Sequence, residues 1–302
     1  MSAGWVAGTV RARAMARRVL GAGAARELAA SPSLADAQQR LRATPFRAAA
    51  EQGLSLDEAQ HAVAANILWN LRVLAGWLPR DGVSLLRLLA GWFEIANVDE
   101  LLQAVAGRPA GATFQLGALA TAWPRLSEVG SAPEVRHALA ASAWGDPGGD
   151  TTGDIRLGMR TRWAARIAAS GDRAGAWAAA AVAQLGELPG PARTGARAEP
   201  GAGRARAGTG LGRQVRPGKA ATARPIAPQA AGASLVPPWQ AEADWWRQVE
   251  RDGCALLRSS QTSSEPVLGA VVVMAADARR VRAALGCAAR GGRAVEAYDA
   301  MV

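Results

Sequence analysis

The amino-acid sequence predicts an all-α protein, and three observations carry that expectation. Apolar residues return every three or four positions almost throughout, the period of an amphipathic helix. No convincing run alternates in the period of two that a half-buried strand requires. Half of the 302 residues are hydrophobic, enough for a real core, although aromatics make up only 5%. Among those aromatics, 11 Trp far outnumber 3 Phe and 1 Tyr.

The elements follow in order. An opening stretch, "VAGTVRARAMARRVL", combines small residues with Arg11, Arg13, Arg17 and Arg18, and these charges interrupt any secretory signal. A break falls at "SPS" (31–33). Over 61–78, Val63, Ile67, Leu71, Leu74 and Leu78 recur at steps of 4, 4, 3 and 4. Pro79 and the "DG" at 81–82 are expected to end that helix, and "VSLLRLLAGWF" to start the next.

The stretch "WFEIANVDELLQAV" (92–105) then places Glu94 and Asn97 one turn apart. Asn is a favoured N-cap and Asp99 and Glu100 suit the positive end of a helix, so a new helix start at Asn97 is the simplest expectation. A local Glu94–Asn97 pair on one helix face is the alternative.

Further breaks fall at "GRPAGA" (107–112) and "WGDPGGDTTGD" (144–154). Residues 154–169 carry Ile155, Met159, Trp163 and Ile167 at helical spacing, and 174–186 form an Ala-rich helix anchored by Trp177. After the segment 189–238, Trp239, Trp246 and Val249 stripe one helix, and Val272, Ala276, Arg280 and Ala283 another. The longest apolar run, "VLGAVVVMAA", is about half of the ~20 residues a membrane span needs. A soluble, intracellular chain is therefore expected.

The segment 189–238 is rich in Gly, Ala, Pro and Arg with few large apolar residues, so a disordered insertion is expected there. Its eight basic residues against the single acid Glu199 supply +7 of the net charge of +10, leaving +3 for the helical remainder. The charge therefore marks one segment and not the fold. The organisation is helical bundles over 1–188, the low-complexity segment, and C-terminal helices over 239–302 completing the fold.

Chemistry-bearing motifs are scarce. Gly212 and Gly218 enclose one residue too many for a phosphate loop, and Ala220 occupies the position of its Ser or Thr. His61 and His137 stand apart from other ligand types, and Cys254 and Cys287 make no metal or redox motif. No catalytic, metal or cofactor residue is proposed from the sequence. A weak repeat aligns "EIANVDELLQAVAGR" (94–108) with "DARRVRAALGCAARG" (277–291), pairing Glu94 with Asp277 and Asn97 with Arg280.

Taken together, these pieces resemble the C/d subunit family of rotary V-type and archaeal-type ATPases. "VAGTVRARAMARRVL" is similar to the family's opening helix, and "LRATPFRAA" (41–49) to its "L-x-x-T-P-Y" step with Phe46 for Tyr. "LLAGWFEIANVDELLQAV" resembles the signature "W-D-x-x-N-I-x-x-L-L-R", with Gln103 where Arg is common. The closing stretch 265–301 resembles "E-V-x-N-L-R…G…E", with Arg280 for Asn. The style, "AEADWWRQVERDG" (241–253) included, resembles an actinobacterial branch.

The resemblance implies a funnel of three similar helical bundles, in a non-catalytic rotor part with no cofactor. Its expected partners are the central-shaft subunits and the proteolipid ring, at the cytoplasmic side of the plasma membrane. It implies a structural role for Glu94, Asn97, Asp277 and Arg280, and gives Arg11, Arg13 and Arg282 as interface candidates. The rival expectation is a helical interaction module binding nucleic acid through basic 190–238. Against it, that segment lacks aromatics for base stacking.

Overall fold

The computed structural model describes residues 3–51, 53–170, 174–177 and 238–302. The low-complexity residues 189–237 and positions 178–186 of the expected Ala-rich helix lie outside the described residues. The described residues form α-helices, two short 3-10 turns and no strand. In chain order the helices are α1 (Ala3–Ala16), α2 (Ala22–Ala29), α3 (Leu34–Leu41), α4 (Leu56–Ala75) and α5 (Arg80–Val105). They continue as α6 (Trp123–Leu126), α7 (Ala132–Ala140), α8 (Thr152–Ala168), α9 (Pro238–Arg258), α10 (Ser264–Ala288) and α11 (Val295–Met301).

The expected helix start at Asn97 is not present. Arg80–Val105 is one uninterrupted helix, with Asn97 in its interior and Gly82 buried inside its first turns. Pro79 sits at the N-cap, so the "DG" that reads as a terminator lies just inside the new helix. Pro at a helix entrance lacks an N–H that would have no intrahelical partner there, and packing supplies the rest. Gly82 is required there because an added Cβ would approach Leu78 Cβ to 2.9 Å and Trp5 to 3.1 Å. The helix ends where Gly107, at φ +69, lets Arg108 N–H return to Gln103 O at 3.0 Å.

The other expected helices need smaller amendments. The 61–78 helix begins earlier, at Leu56, behind a capping box in which Ser55 accepts from Glu58 N–H and Glu58 accepts from Ser55 N–H. In α9 the buried face is Ala243, Val249 and Leu256, while Trp239 is half exposed. Trp239 therefore marks no core stripe.

α10 organises the fold. Residues from Pro266 to Met274 are buried without a break, so this helix is apolar on every side instead of along one stripe. It packs against α1, α2, α3, α4, α9 and α11. Contact with α9 is closest at a pair of glycines: a Cβ at Gly269 would meet Gly253 O at 2.5 Å and Leu256 Cβ at 3.0 Å. A second core, around α5, gathers Ile95, Val98, Leu102, Leu126, Leu139, Trp144, Ile155 and Met159. A third joins Ile167 and Trp177 to Val249, Leu256, Leu268 and Val272.

One arrangement occurs twice. In the first module α10 is followed in space by α2, α3, a turn at 42–46 and α4. In the second, α5 is followed by α6, α7, a turn at 140–144 and α8. Ser33 caps α3 by accepting from Asp36 N–H at 3.1 Å, and Ser131 caps α7 from Glu134 N–H at 3.4 Å. Thr44 Oγ1 donates to Leu41 O at 2.7 Å and accepts from Phe46 N–H at 3.2 Å. Ser142 Oγ does the same with Leu139 O and Trp144 N–H, at 2.7 and 3.1 Å. Ser55 and Thr151 then cap α4 and α8. Ala59, Val63, Ile67 and Leu71 face inward from α4 where Ile155, Met159, Trp163 and Ile167 do so from α8.

The first module takes its long helix from the far end of the chain. Residues 20–75 are thus completed by 264–288, which brings the two ends of the sequence into one core.

Two glycines of α10 test this packing with opposite signs. Gly269→Ala forces backbone against backbone at α9 and is expected to cost about 2 kcal/mol. Gly286→Ala meets only Gln60 Nε2, at 3.8 Å, and is expected to gain about 0.5 kcal/mol from helix propensity. Urea midpoints of the two variants would separate them; a neutral Gly269→Ala would contradict the close crossing.

Candidate functional site

Each module has a buried carboxylate three residues before a second polar side chain. Glu94, only 1% exposed, projects from the middle of α5 at the start of α6. Its carboxylate accepts N–H bonds from Thr121 (3.0 Å), Ala122 (2.5 Å) and Trp123 (2.6 Å), and from the Trp144 indole (3.0 Å). No cation is among these partners. Removing a carboxylate from water costs several kcal/mol. Four hydrogen bonds to a charge, at roughly 1.5–3 kcal/mol each, can outweigh that.

Asn97, fully buried, works beside it: its Nδ2 donates to Phe114 O (2.9 Å) and its Oδ1 accepts from Phe114 N–H (2.6 Å). Both side chains therefore fasten the 114–123 connection to α5, and they do not bond to each other. Gly91 makes room for this junction, since a Cβ there would meet Trp163 Cδ1 at 2.8 Å and Trp144 at 3.2 Å.

Asp277 occupies the corresponding place on α10. It is 1% exposed, and its two oxygens accept from Leu20 N–H and Gly21 N–H, both at 2.8 Å, at the entrance to α2. Burial pushes its carboxyl up from the usual range, against the pull of those N–H bonds. The aromatic at the equivalent of Trp144 is Phe46, which has no N–H to offer, so Asp277 holds fewer donors than Glu94. Arg280, three residues on, pairs through both guanidinium nitrogens with the Glu250 carboxylate, with Nη1–Oε1 at 2.7 Å. Where Asn97 fastens a loop, Arg280 fastens α9.

The interface candidates separate in space. Arg13 is spent internally, its Nε donating to Leu257 O at 3.2 Å and its Nη2 to Ser259 O. That tie joins α1 to the end of α9. Arg282 is exposed on α10, where its own carbonyl accepts from Gln60 Nε2. Arg11 is half-buried, and its Nε has no partner.

Arg11 opens onto a cleft of about 1270 Å³. Its walls come from the α1 face carrying Arg11, Met15 and Arg18, the 42–48 turn, α4, and the 111–115 connection. Asp277 and Met274 of α10 also line it. On one wall His61 stacks on Phe114 at 4.1 Å between centroids and 14° between planes. Burial lowers the His61 pKa below 6.5, with Glu100 opposing.

The cleft's acids are largely engaged as backbone acceptors. Glu58 completes the Ser55 capping box, Glu100 accepts from Gly111 N–H at 2.5 Å, and Asp277 accepts from Leu20 and Gly21. Among the described residues no group of His, Cys, Asp and Glu is arranged to hold a metal ion, and no helix is long and apolar enough to cross a membrane.

The sequence signal for Glu94 and Asn97 was their spacing. Two further members of the site, the indole of Trp144 and the Thr44/Ser142 turn, carried a weaker one. "SLADAQQRLRATPF" (33–46) and "SAPEVRHALAASAW" (131–144) share Ser, acid, Leu, Thr/Ser and aromatic in register, interspersed with residues that differ.

A scan of family models, a search of the curated proteins and a search of the solved structures each return no match to this chain.

Two measurements test the site. Glu94→Gln turns an amide N–H₂ toward N–H donors and is expected to destabilise the fold by about 3 kcal/mol, with Trp144→Phe costing about 1 kcal/mol. Chemical denaturation would read both, and equal costs would break the assignment of Glu94 as the hub. For His61, the folded protein resists a proton that the unfolded chain accepts near pH 6.5. The ring's contribution is thus present above that pH and lost as pH falls through the lower folded value. NMR titration is expected to place His61 below 6.5, and His61→Phe to flatten the stability profile between pH 7 and 5.

Proposed function

We propose that this chain is a non-catalytic rotor subunit of a rotary V-type or archaeal-type ATPase. In that role it links the central shaft to the proteolipid ring at the cytoplasmic face of the membrane and passes torque during ion transport. The observation that carries the reading is the junction built twice, at Glu94–Asn97 and at Asp277–Arg280. Those are the positions where the sequence resembles the family's acid-x-x-Asn signature and its closing helices. On this reading the two modules are two of three similar bundles arranged as a funnel.

The physical demands of the role suit what the residues do. A part that transmits torque must not yield at its helix junctions. Here each junction is closed by a buried carboxylate whose hydrogen bonds would all have to break for the helices to separate. Glu94 accepts four donors and has no free acceptor to lend to proton transfer, which favours a clamp over an acid–base group. The second module is braced further by Asp99, which binds Arg156 (3.0 Å) and Arg160 (2.7 Å) across α5 and α8. Arg136 closes the loop beyond Trp144 on Asp146 (2.8 Å) and Asp150 (3.0 Å), and holds the Asp146 carboxyl well below the usual carboxylate range.

The test is recovery of the tagged full-length chain from its native membranes, with associated chains identified by mass. Proteolipid and central-shaft subunits are the expected company. Their absence from intact membranes would defeat the rotor reading, and nucleic acid in their place would favour binding through 190–238.

A further inference from the structure

The two principal cores are built from different lengths of chain. Among the described residues, every buried member of the second core lies between Ile95 and Met159. The first core draws on both ends of the sequence, from Ala12 to Leu119 and again from Val267 to Tyr298. The hydrogen bonds of the two buried carboxylates divide in the same way. Glu94 takes its donors from 27 to 50 residues away, whereas Asp277 takes its two from 256 and 257 residues away. α5 serves both cores, its first half through Leu86, Ala90 and Phe93, its second through Ile95, Val98 and Leu102.

Residues 238–302 are also bound to one another. α9 and α10 meet at the Gly253–Gly269 crossing, and Arg280 of α10 pairs with Glu250 of α9. Arg279 Nη2 donates to Met301 O at 2.6 Å, which ties α10 to the end of α11. This unit reaches the earlier chain at Leu20 and Gly21, at Arg26 on Asp299 (2.9 Å) and at Gln60 on Arg282 O (3.1 Å). Trp177 Nε1 adds a bond to Asp252 at 2.8 Å. Each of those earlier residues lies outside 95–159.

Loop-closure entropy grows with the logarithm of the separation, so contacts spanning 256 residues are the costlier to restore once broken. Cooperative units within a native protein follow contiguous motifs and open with different free energies. α10 is the shared partner of α1, α2, α3 and α4. Without it, their inward faces have no core to join.

We infer that the native protein has a partly open form in which residues 238–302 leave as one piece and 20–75 lose their order with them, while the core over 95–159 stays folded. The seam between the two ends of the chain is a conformational joint, and the second module is its fixed side. Opening lays bare Leu28, Leu41, Leu71 and Leu285, all buried in the closed form. The inference rests on the two cores alone and stands apart from which complex the chain joins.

Native-state hydrogen exchange of the full-length protein, followed by mass spectrometry at a series of low urea concentrations, is the test. Amides of 20–75 and 264–288 are expected to exchange together, about tenfold or more faster than the slowest amides of 95–159. Trp144→Phe weakens the second core in the native and the partly open forms alike. It is expected to speed exchange within 95–159 by about fivefold and to leave 20–75 and 264–288 within about twofold of the unaltered protein. Asp277→Asn raises the native state relative to both opened forms, so it is expected to speed both groups by about tenfold. Circular dichroism would verify the folds. Should Trp144→Phe not fold, Ile155→Val trims the same core and carries the same expectation.

A single exchange rate shared by the two cores overturns the proposal. So does earlier exchange of 95–159, or an equal effect of Trp144→Phe on the seam. Divided exchange with an empty membrane pull-down would defeat only the rotor reading. Shaft recovery with uniform exchange would defeat only the joint.

Discussion

The second module hangs on a carboxylate buried without a counter-cation. Glu94 sits at 1% exposure in a helix otherwise built from Leu, Ala and aromatics, and its charge is tolerated only because the chain brings four N–H groups to it. Those donors come from two places, the start of α6 and the indole of Trp144. The site therefore fixes where α5, α6 and the 140–144 turn must lie relative to one another. An apolar residue at 94 would pack, but it would leave the N–H groups of 121–123 unpaired and the direction of the chain after Phe114 unspecified.

Asp277 applies the same device at the seam between the two ends of the chain, with less support. It has two backbone donors where Glu94 has three, and Phe46 in place of an indole, and it lines an open cleft. Stability and access thus divide between the modules. One junction is sealed, and the other borders an open cleft lined by arginines and acids alike.

The sequence was most legible where a single helix can be read by itself. The faces of α4 and α8 follow from Val63, Ile67 and Leu71 and from Ile155, Met159 and Ile167, since helical period alone selects them. It misled where local chemistry has a common alternative use. Asn97 reads as an N-cap because Asn usually is one, yet here its amide is claimed by Phe114, seventeen residues away. "DG" at 81–82 reads as a terminator, yet Gly82 is inside α5 because only a hydrogen fits beside Leu78 and Trp5. The weak alignment of Glu94 with Asp277 meant little among Ala-rich helices until both side chains were seen ending on N–H groups at the entrance of a packed helix.

What the sequence determined by itself is the helical class, the approximate helices, the location of most of the positive charge and the pair of polar residues that breaks the apolar pattern at 94 and 97. These are properties of neighbours along the chain, and short-range periodicity and composition encode them directly. Only the tertiary structure decided that Glu94 and Asp277 do equivalent work, that Trp144 serves the one while Phe46 cannot serve the other, and that Arg13 is spent while Arg11 is not. A hydrogen bond between residues 20 and 277 leaves no periodic trace in the sequence, because its free energy depends on distance in space and on the water excluded when the two ends of the chain meet.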